Sequence, residues 1–185
     1  SFKVSQFDLN RRSFLASSFA GYTVSALGTT PSYGFDAKAF ERKPTEFQHA
    51  CMTLPYSGFP LDRALQGIKT AGFRYVAWGI KHLEANGKQV SVIAEDAPAE
   101  TAKALAKRCR DMGLDPIMMF SNIYPENPRG LEVLTQRIKQ ASAAGIGQVL
   151  TFGHTAGGNK KIWIERFKIL GPIAQDHGVM IVVKQ

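Results

Sequence analysis

Residues 144–185 read AGIGQVLTFGHTAGGNKKIWIERFKILGPIAQDHGVMIVVKQ, and this stretch decides the fold. The apolar run Gln148–Phe152 predicts a buried strand, and residues 179–183 predict a second one. Between them, apolar residues recur at helical spacing up to about residue 177. Two continuous apolar strands joined by a helix must be parallel and covered on both faces. The loop that contains His154 therefore leaves the carboxyl end of a strand, where parallel α/β folds bind ligands.

A repeat marked by glycines extends this unit toward the N-terminus. Gly72, Gly113, Gly145 and Gly178 each stand between a helical pattern and an apolar run. Glycine is favoured at that place because the residue after a helix often takes a positive φ. The repeat predicts successive βα modules. Their strands are predicted at residues 48–54, 73–79, 115–120, 148–152 and 179–183, with a long polar loop at residues 80–96.

Two architectures accommodate four βα modules and a fifth strand. One is a doubly wound open sheet, and the other is the first part of a (β/α)8 barrel. The phosphate-binding pattern G-x-G-x-x-G that is typical of open nucleotide-binding sheets does not follow the first strand, where residues 55–58 read PYSG. This absence counts against an open nucleotide-binding sheet but leaves both α/β architectures open. Together with the resemblance described next, we predict an α/β fold, a partial (β/α)8 TIM barrel over residues 36–185.

Residues 47–185 resemble the first half of the xylose isomerase-like TIM barrel superfamily, the sugar phosphate isomerase/epimerase family. The resemblance rests on the segment from LDRAL at 61–65 to AGF at 71–73, on Trp78 at the end of the second strand, and on the helix, His-Gly-Val and strand of residues 174–183. It implies a closed barrel with a site at the carboxyl ends of the strands. It also implies a divalent metal (Mn, Mg, Co or Zn) and the isomerisation or epimerisation of sugars by proton transfer.

The chain departs from the family at the end of the fifth strand. Members usually carry a metal-binding Glu there, whereas this chain has Lys184 followed by Gln185. The resemblance reaches only the fifth of eight strands, so we interpret the chain as a fragment and expect the metal ligands beyond Gln185, with none within this chain. A protonated lysine is a poor metal ligand and does not replace the Glu. Lys184 would neutralise an anionic substrate or enolate, or act as a base if burial lowers its pKa. The alternative is a register shifted by one or two residues.

The candidate site residues follow predicted strand ends, where a histidine can hold a hydroxyl or move a proton. The candidates for catalysis are His154, Lys184, His82 and Glu84, and those for substrate binding are Tyr56, Trp78, Asn122 and Gln185. Each has an ordinary structural alternative. A histidine or glutamate is often a solvated loop residue, an aromatic ring often packs in the core, and an asparagine often caps a turn.

These residues and the resemblance predict a sugar (phosphate) isomerase or epimerase that transfers a proton next to a carbonyl, with a small-molecule sugar as its partner. One alternative is a lyase or hydrolase acting on oxidised sugars on the same scaffold, and another is a non-catalytic carbohydrate-binding barrel. The formal net charge is +8. We expect no nucleic-acid partner, because the basic residues are scattered over helix faces and residues 121–127 contain no Lys or Arg.

The first 35 residues predict a targeting segment and linker. Residues 10–15 read NRRSFL and resemble the twin-arginine export motif, and the mildly apolar residues 16–27 follow it. The prediction is an exported protein, periplasmic or extracellular, without membrane contact beyond export. The alternative is an amphipathic first helix of the domain, which the abundance of Ser, Thr and Gly disfavours.

Overall fold

The computed structural model describes residues 47–184. The predicted signal segment and linker of residues 1–35, and the predicted substrate-binding residue Gln185, lie outside the described residues. Within 47–184, no helix is both long enough and apolar enough to cross a membrane. The elements are β1 Ala50–Met52, a 3-10 turn Leu54–Tyr56, α1 Leu61–Thr70, β2 Tyr75–Trp78, β3 Lys81–Leu83, β4 Gln89–Ser91, α2 Ala99–Asp111, β5 Asp115–Phe120, α3 Gly130–Ala144, β6 Gln148–Phe152, α4 Lys160–Asp176 and β7 Met180–Lys184.

Five strands form one parallel sheet in the order β1-β2-β5-β6-β7. The strand order follows the chain and does not reverse, as it would in a doubly wound sheet. With right-handed crossovers, such an order places the helices on one face of the sheet, as in a barrel. The prediction of a partial barrel with four βα units and a fifth strand is confirmed.

The long loop predicted at residues 80–96 contains a hairpin that the sequence analysis missed. Strands β3 and β4 pair antiparallel, and Gly87 takes a φ of +77° in the turn between them. The amide of Leu83 donates to the carbonyl of Ser57 at 2.8 Å, so the hairpin packs on the loop after β1. Each of these strands has three residues, too few for an alternating apolar pattern to stand out.

The core lies between the sheet and the helices. On β6 the buried residues Val149 and Thr151 alternate with half-buried residues of the opposite face, as the strand period requires. Helices α1 to α4 all contribute to the same apolar cluster. The four glycines predicted to follow helices have positive φ values of 87°, 84°, 66° and 64° at Gly72, Gly113, Gly145 and Gly178. The repeat therefore marks real helix ends.

A buried polar pair on α3 fixes the segment that joins the hairpin to α2. Arg137 donates from Nη1 to the carbonyl of Ile93 and to Oε1 of Gln140, both at 2.9 Å. Gln140 donates from Nε2 to the carbonyls of Ala94 and Ala97, at 3.0 and 2.9 Å. Burial lowers the pKa of Arg137 from its ordinary value. The pair supplies the donor for the carbonyl of the buried residue Ile93 and adds a second donor to the carbonyls of Ala94 and Ala97.

We predict that Gln140→Leu destabilises the protein by about 1–3 kcal/mol, because the buried Nη1 of Arg137 loses an acceptor and the carbonyls of Ala94 and Ala97 each lose a donor. Urea unfolding measures the free energy. Lys139→Ala, at an exposed neighbouring position on α3, is the control and should change stability by less than about 0.5 kcal/mol. Equal stabilities of the two variants would show that the amide of Gln140 does not hold the segment.

The two free cysteines differ in their surroundings. Cys109 is buried on α2, and burial raises the pKa of its thiol, whereas Cys51 is half-buried on β1. Because the thiolate is the reactive form, we predict that a thiol reagent modifies Cys51 well before Cys109 in the folded protein. Time-resolved mass spectrometry of Cys51→Ser and Cys109→Ser variants measures each rate. Similar rates in the native state, rather than only in denaturant, would contradict this placement.

Candidate functional site

The register of β6 and β7 places Phe152 and Lys184 side by side at the carboxyl end of the sheet. Phe152 pairs with Lys184, and the amide of Gly153 donates to the carbonyl of Lys184 at 2.8 Å. Paired residues of neighbouring parallel strands point to the same face. Val149 and Thr151 of β6 are buried on the helix side, so Phe152 and Lys184 lie on the opposite, inner face of the sheet.

A cavity of about 720 Å³ opens at this place. Its lining residues come from the loop after β5, from the ends of β6 and β7, and from the first turn of α4. They include Tyr124, Phe152, His154, Lys160, Trp163 and Lys184. Among residues 47–184, no carboxylate lies within ion-pair distance of either lysine. The cavity therefore combines a basic rim with aromatic walls.

One wall of the cavity is a stack of aromatic rings. Tyr124 lies parallel to Phe152 with ring centroids 4.4 Å apart, and Phe120 meets Phe152 edge-on at 5.5 Å. Tyr124 remains 40% exposed, so part of its ring is open to a ligand. An exposed aromatic face of this kind suits the apolar face of a sugar ring.

A carboxylate lies behind the candidate histidine. Oε1 of Glu126 is 3.5 Å from Nε2 of His154, which is an ion-pair distance longer than a hydrogen bond. The same oxygen accepts from the amide of Thr155 at 3.2 Å. The side chain of Glu126 is only 8% exposed, against 33% for His154. His154 thus lines the cavity, and the largely buried carboxylate of Glu126 lies next to its Nε2.

Two glycines allow close packing around the loops after β5 and β6. A Cβ at Gly158 would overlap the methyl group of Thr155 and lie 2.7 Å from Oε1 of Glu126, so this glycine permits the contact between the two loops. A Cβ at Gly130, the first residue of α3, would lie 2.8 Å from the carbonyl oxygen of Tyr124, so that glycine permits the loop after β5 to fold back on the start of α3.

The structure brings together His154 and Lys184 from the predicted catalytic set and places the other two elsewhere. His82 lies on β3 and is 1% exposed, with Nδ1 2.9 Å from the carbonyl oxygen of Phe59. His82 and Glu84 line a separate hollow of about 460 Å³ between the hairpin, α1 and α2. The prediction of one shared site was too broad, because the hairpin turns this segment onto the helix layer.

The predicted substrate-binding residues are also dispersed. Trp78 is fully buried in the core on the helix side, which leaves no ring face for a sugar and corrects the predicted stacking role. Tyr56 lies in a different hollow beside α1, where contact with the Cys51 thiol raises the pKa of its phenol. Asn122 is exposed in the loop after β5, and Gln185 lies outside the described residues.

Sequence analysis missed Tyr124, Glu126, Lys160 and Trp163. The rule that selected His154 also applies to Glu126, because residues 121–127 follow the strand next to β6. Lys160 and Trp163 belong to the first turn of the helix that follows the His154 loop. The side chain of Asn159 caps this helix by accepting from the amides of Lys161 and Ile162. These residues carry no motif, and proximity to predicted strand ends is the signal that finds them.

The residues of the site do not by themselves fit a divalent metal. Within residues 47–184, no group of three or more His, Cys, Asp or Glu side chains could hold a metal ion. Glu126 and His154 would supply two donors, and the neighbouring lysines repel cations. Any metal of the whole protein therefore needs ligands from outside this part of the chain.

Comparison with solved structures identifies the fold. A sugar phosphate isomerase/epimerase from Parabacteroides distasonis is similar over 74% of this chain and 54% of its own, with a TM-score of 0.51 and 15% identity. This similarity shows that the described part of the chain has the fold of part of a TIM barrel. No family profile and no curated protein matches the sequence.

Two further structures share this fold. The IolI protein, solved with a bound zinc atom, matches 74% of this chain and 51% of its own, at a TM-score of 0.53 and 13% identity. A probable 3-DHS dehydratase, AsbF of petrobactin synthesis in Bacillus anthracis, matches 74% of this chain and 52% of its own, at a TM-score of 0.51 and 11% identity. This chain thus spans about half the length of each barrel. Identities this low establish the fold alone.

We predict that Gly158→Ala disturbs the site, because its methyl group would overlap Thr155 and crowd Glu126. Overpacking of this kind costs about 1–3 kcal/mol, and the chemical shifts of His154 should change. Gly171→Ala on α4 is the matched control, because a Cβ there meets no atom within 4 Å and alanine favours a helix. Urea unfolding and histidine NMR spectra measure both effects. An unchanged Gly158→Ala protein would show that the two loops are not tightly packed.

Proposed function

We propose that this chain is part of a sugar (phosphate) isomerase or epimerase, an enzyme that transfers a proton at the carbon next to a carbonyl group. The observation that carries the proposal is the placement of His154, supported by Glu126, in one aromatic-walled cavity with Lys184 at the carboxyl end of the sheet. Barrels of this type keep their active sites at that end. The sugar phosphate isomerase/epimerase with the same fold supports the same reaction class.

The residues of the cavity can take the following roles. His154 removes a proton from the carbon next to the carbonyl, so a C–H bond breaks, an N–H bond forms, and the electron pair passes to the carbonyl oxygen. The ammonium of Lys184 or Lys160 stabilises the resulting enediolate. Return of the proton to the former carbonyl carbon, while the hydroxyl proton passes from the second oxygen to the first, gives the isomer. Delivery of a proton from a second acid or from water to the opposite face of the carbon that lost it gives the epimer. Tyr124 and Phe152 hold the apolar face of the sugar.

A metal and an export route belong to the same proposal for the whole protein. The zinc atom of the IolI structure supports a divalent metal, with ligands from outside residues 47–184. When bound, such an ion polarises the substrate carbonyl. The residue pattern of the first 35 positions supports export to the periplasm or beyond.

A lyase acting on an oxidised sugar is the second candidate, and the probable dehydratase with this fold favours it. Proton removal by His154 would be the same first step. The reaction then differs in its outcome, because the enolate expels a hydroxyl group as water instead of being reprotonated. The two candidates therefore share a base and are separated by their products.

Deuterium exchange tests both candidates. We predict that the protein, as the whole chain with its divalent metal, exchanges the hydrogen next to the carbonyl in one member of a panel of ketoses, aldoses and their phosphates in D2O. His154→Ala should slow the exchange by about 10²–10⁴-fold, the usual contribution of a general base. His49→Ala, at an exposed position before β1, should leave the rate unchanged.

The products of the same NMR experiment separate the alternatives. An isomer or epimer supports the first candidate, and a dehydrated product supports the lyase. Binding of a sugar without any exchange would contradict both and leave a carbohydrate-binding barrel.

A further inference from the structure

We propose that Glu126 is a positioning residue that acts through His154 by placing the ring proton on Nε2, so that Nδ1 presents its lone pair as the base. This inference rests on the proposed function for its catalytic meaning. The arrangement of the two side chains can nevertheless be tested without any activity.

The proton assignment follows from the chemistry of the two groups. An ionised carboxylate only accepts hydrogen bonds, and a neutral imidazole carries one N–H and one lone pair. Oε1 of Glu126 lies 3.5 Å from Nε2 of His154, so the proton is favoured on Nε2. Nδ1 is then the nitrogen left to accept a proton. Catalytic hydrogen bonds are often long without substrate and tighten when it binds, so we expect this spacing to shorten to a hydrogen bond when the cavity holds a ligand.

The surrounding loops hold Glu126 in this position. Its Oε1 accepts from the amide of Thr155, the residue directly after His154. Gly158 lies so close that a single Cβ would crowd the same oxygen. One carboxylate oxygen is therefore shared between the backbone and the imidazole of the loop after β6. A movement of Glu126 would carry the histidine loop with it.

The burial of Glu126 shows when the interaction is strongest. Its Oε2 is buried and has no hydrogen-bond partner among residues 47–184. A buried carboxylate with so few partners is costly unless a positive charge compensates it. His154 supplies that charge after it has taken a proton. Glu126 therefore stabilises the imidazolium that His154 becomes during proton transfer more than it stabilises the neutral imidazole.

The test is a nitrogen NMR spectrum of the whole chain labelled with 15N-histidine, which separates the two neutral tautomers. We expect His154 to be mainly in the Nε2–H form in the wild-type protein. Glu126→Leu should lose this preference, whereas Glu126→Gln, whose amide oxygen still accepts, should keep it. Glu132→Gln, an exposed carboxylate in the first turn of α3, is the control and should match the wild type.

A kinetic experiment adds the catalytic meaning. We expect Glu126→Gln to lower kcat for deuterium exchange by about 10–10³-fold with little change in KM, because it keeps the tautomer and loses the charge that stabilises the imidazolium. An Nδ1–H tautomer in the wild type, or an unchanged tautomer in a folded Glu126→Leu protein, would overturn the positioning role. If Glu126→Leu does not fold, an Nδ1–H form in either the wild type or Glu126→Gln is sufficient to overturn it. If the tautomers are as expected but no sugar undergoes deuterium exchange, the positioning of His154 by Glu126 is supported and the proposed function is rejected.

Discussion

The parallel register between β6 and β7 is the constraint on which the candidate site depends. A shift of β7 by one residue would turn Lys184 toward the helices and away from Phe152, because successive side chains of a strand point to opposite faces. The observed register instead pairs them on the inner face. It also fixes the start of the His154 loop through the hydrogen bond between Gly153 and Lys184. The strand register therefore determines the position of these two cavity residues and of the start of the His154 loop.

The sheet and helices could be predicted because their signals are local and repeated. Strands β5 and β6 have the predicted bounds, since continuous apolar runs between glycines leave few alternatives. The helix-ending glycines report a backbone requirement at single positions. The same reasoning located His154 and Lys184, because the end of a parallel strand is known once the strand is known. The same pattern of apolar runs and helix-ending glycines therefore predicted both the fold and the edge of the sheet at which the site lies.

The site interior could not be predicted, because it depends on contacts between distant segments. Glu126 and His154 are separated by two secondary-structure elements. Each loop can be located from its strand end, but no residue pattern in either loop shows that the two side chains meet. Trp78 shows the reverse error. The end of the strand was predicted correctly, but a continuous apolar run such as Tyr75–Trp78 does not show which face each side chain occupies, and Trp78 lies on the helix side. His82 was displaced by a hairpin too short to leave a sequence signal.

The shared oxygen of Glu126 has a consequence for how this protein can change. The loop after β5 and the loop after β6 are joined by a carboxylate, a backbone amide and a glycine that permits their contact. Neither loop can be exchanged alone without leaving a buried acid or a crowded backbone. When loops are grafted between related barrels, the loops after β5 and β6 should therefore be transferred together. In natural divergence the two loops should likewise change together.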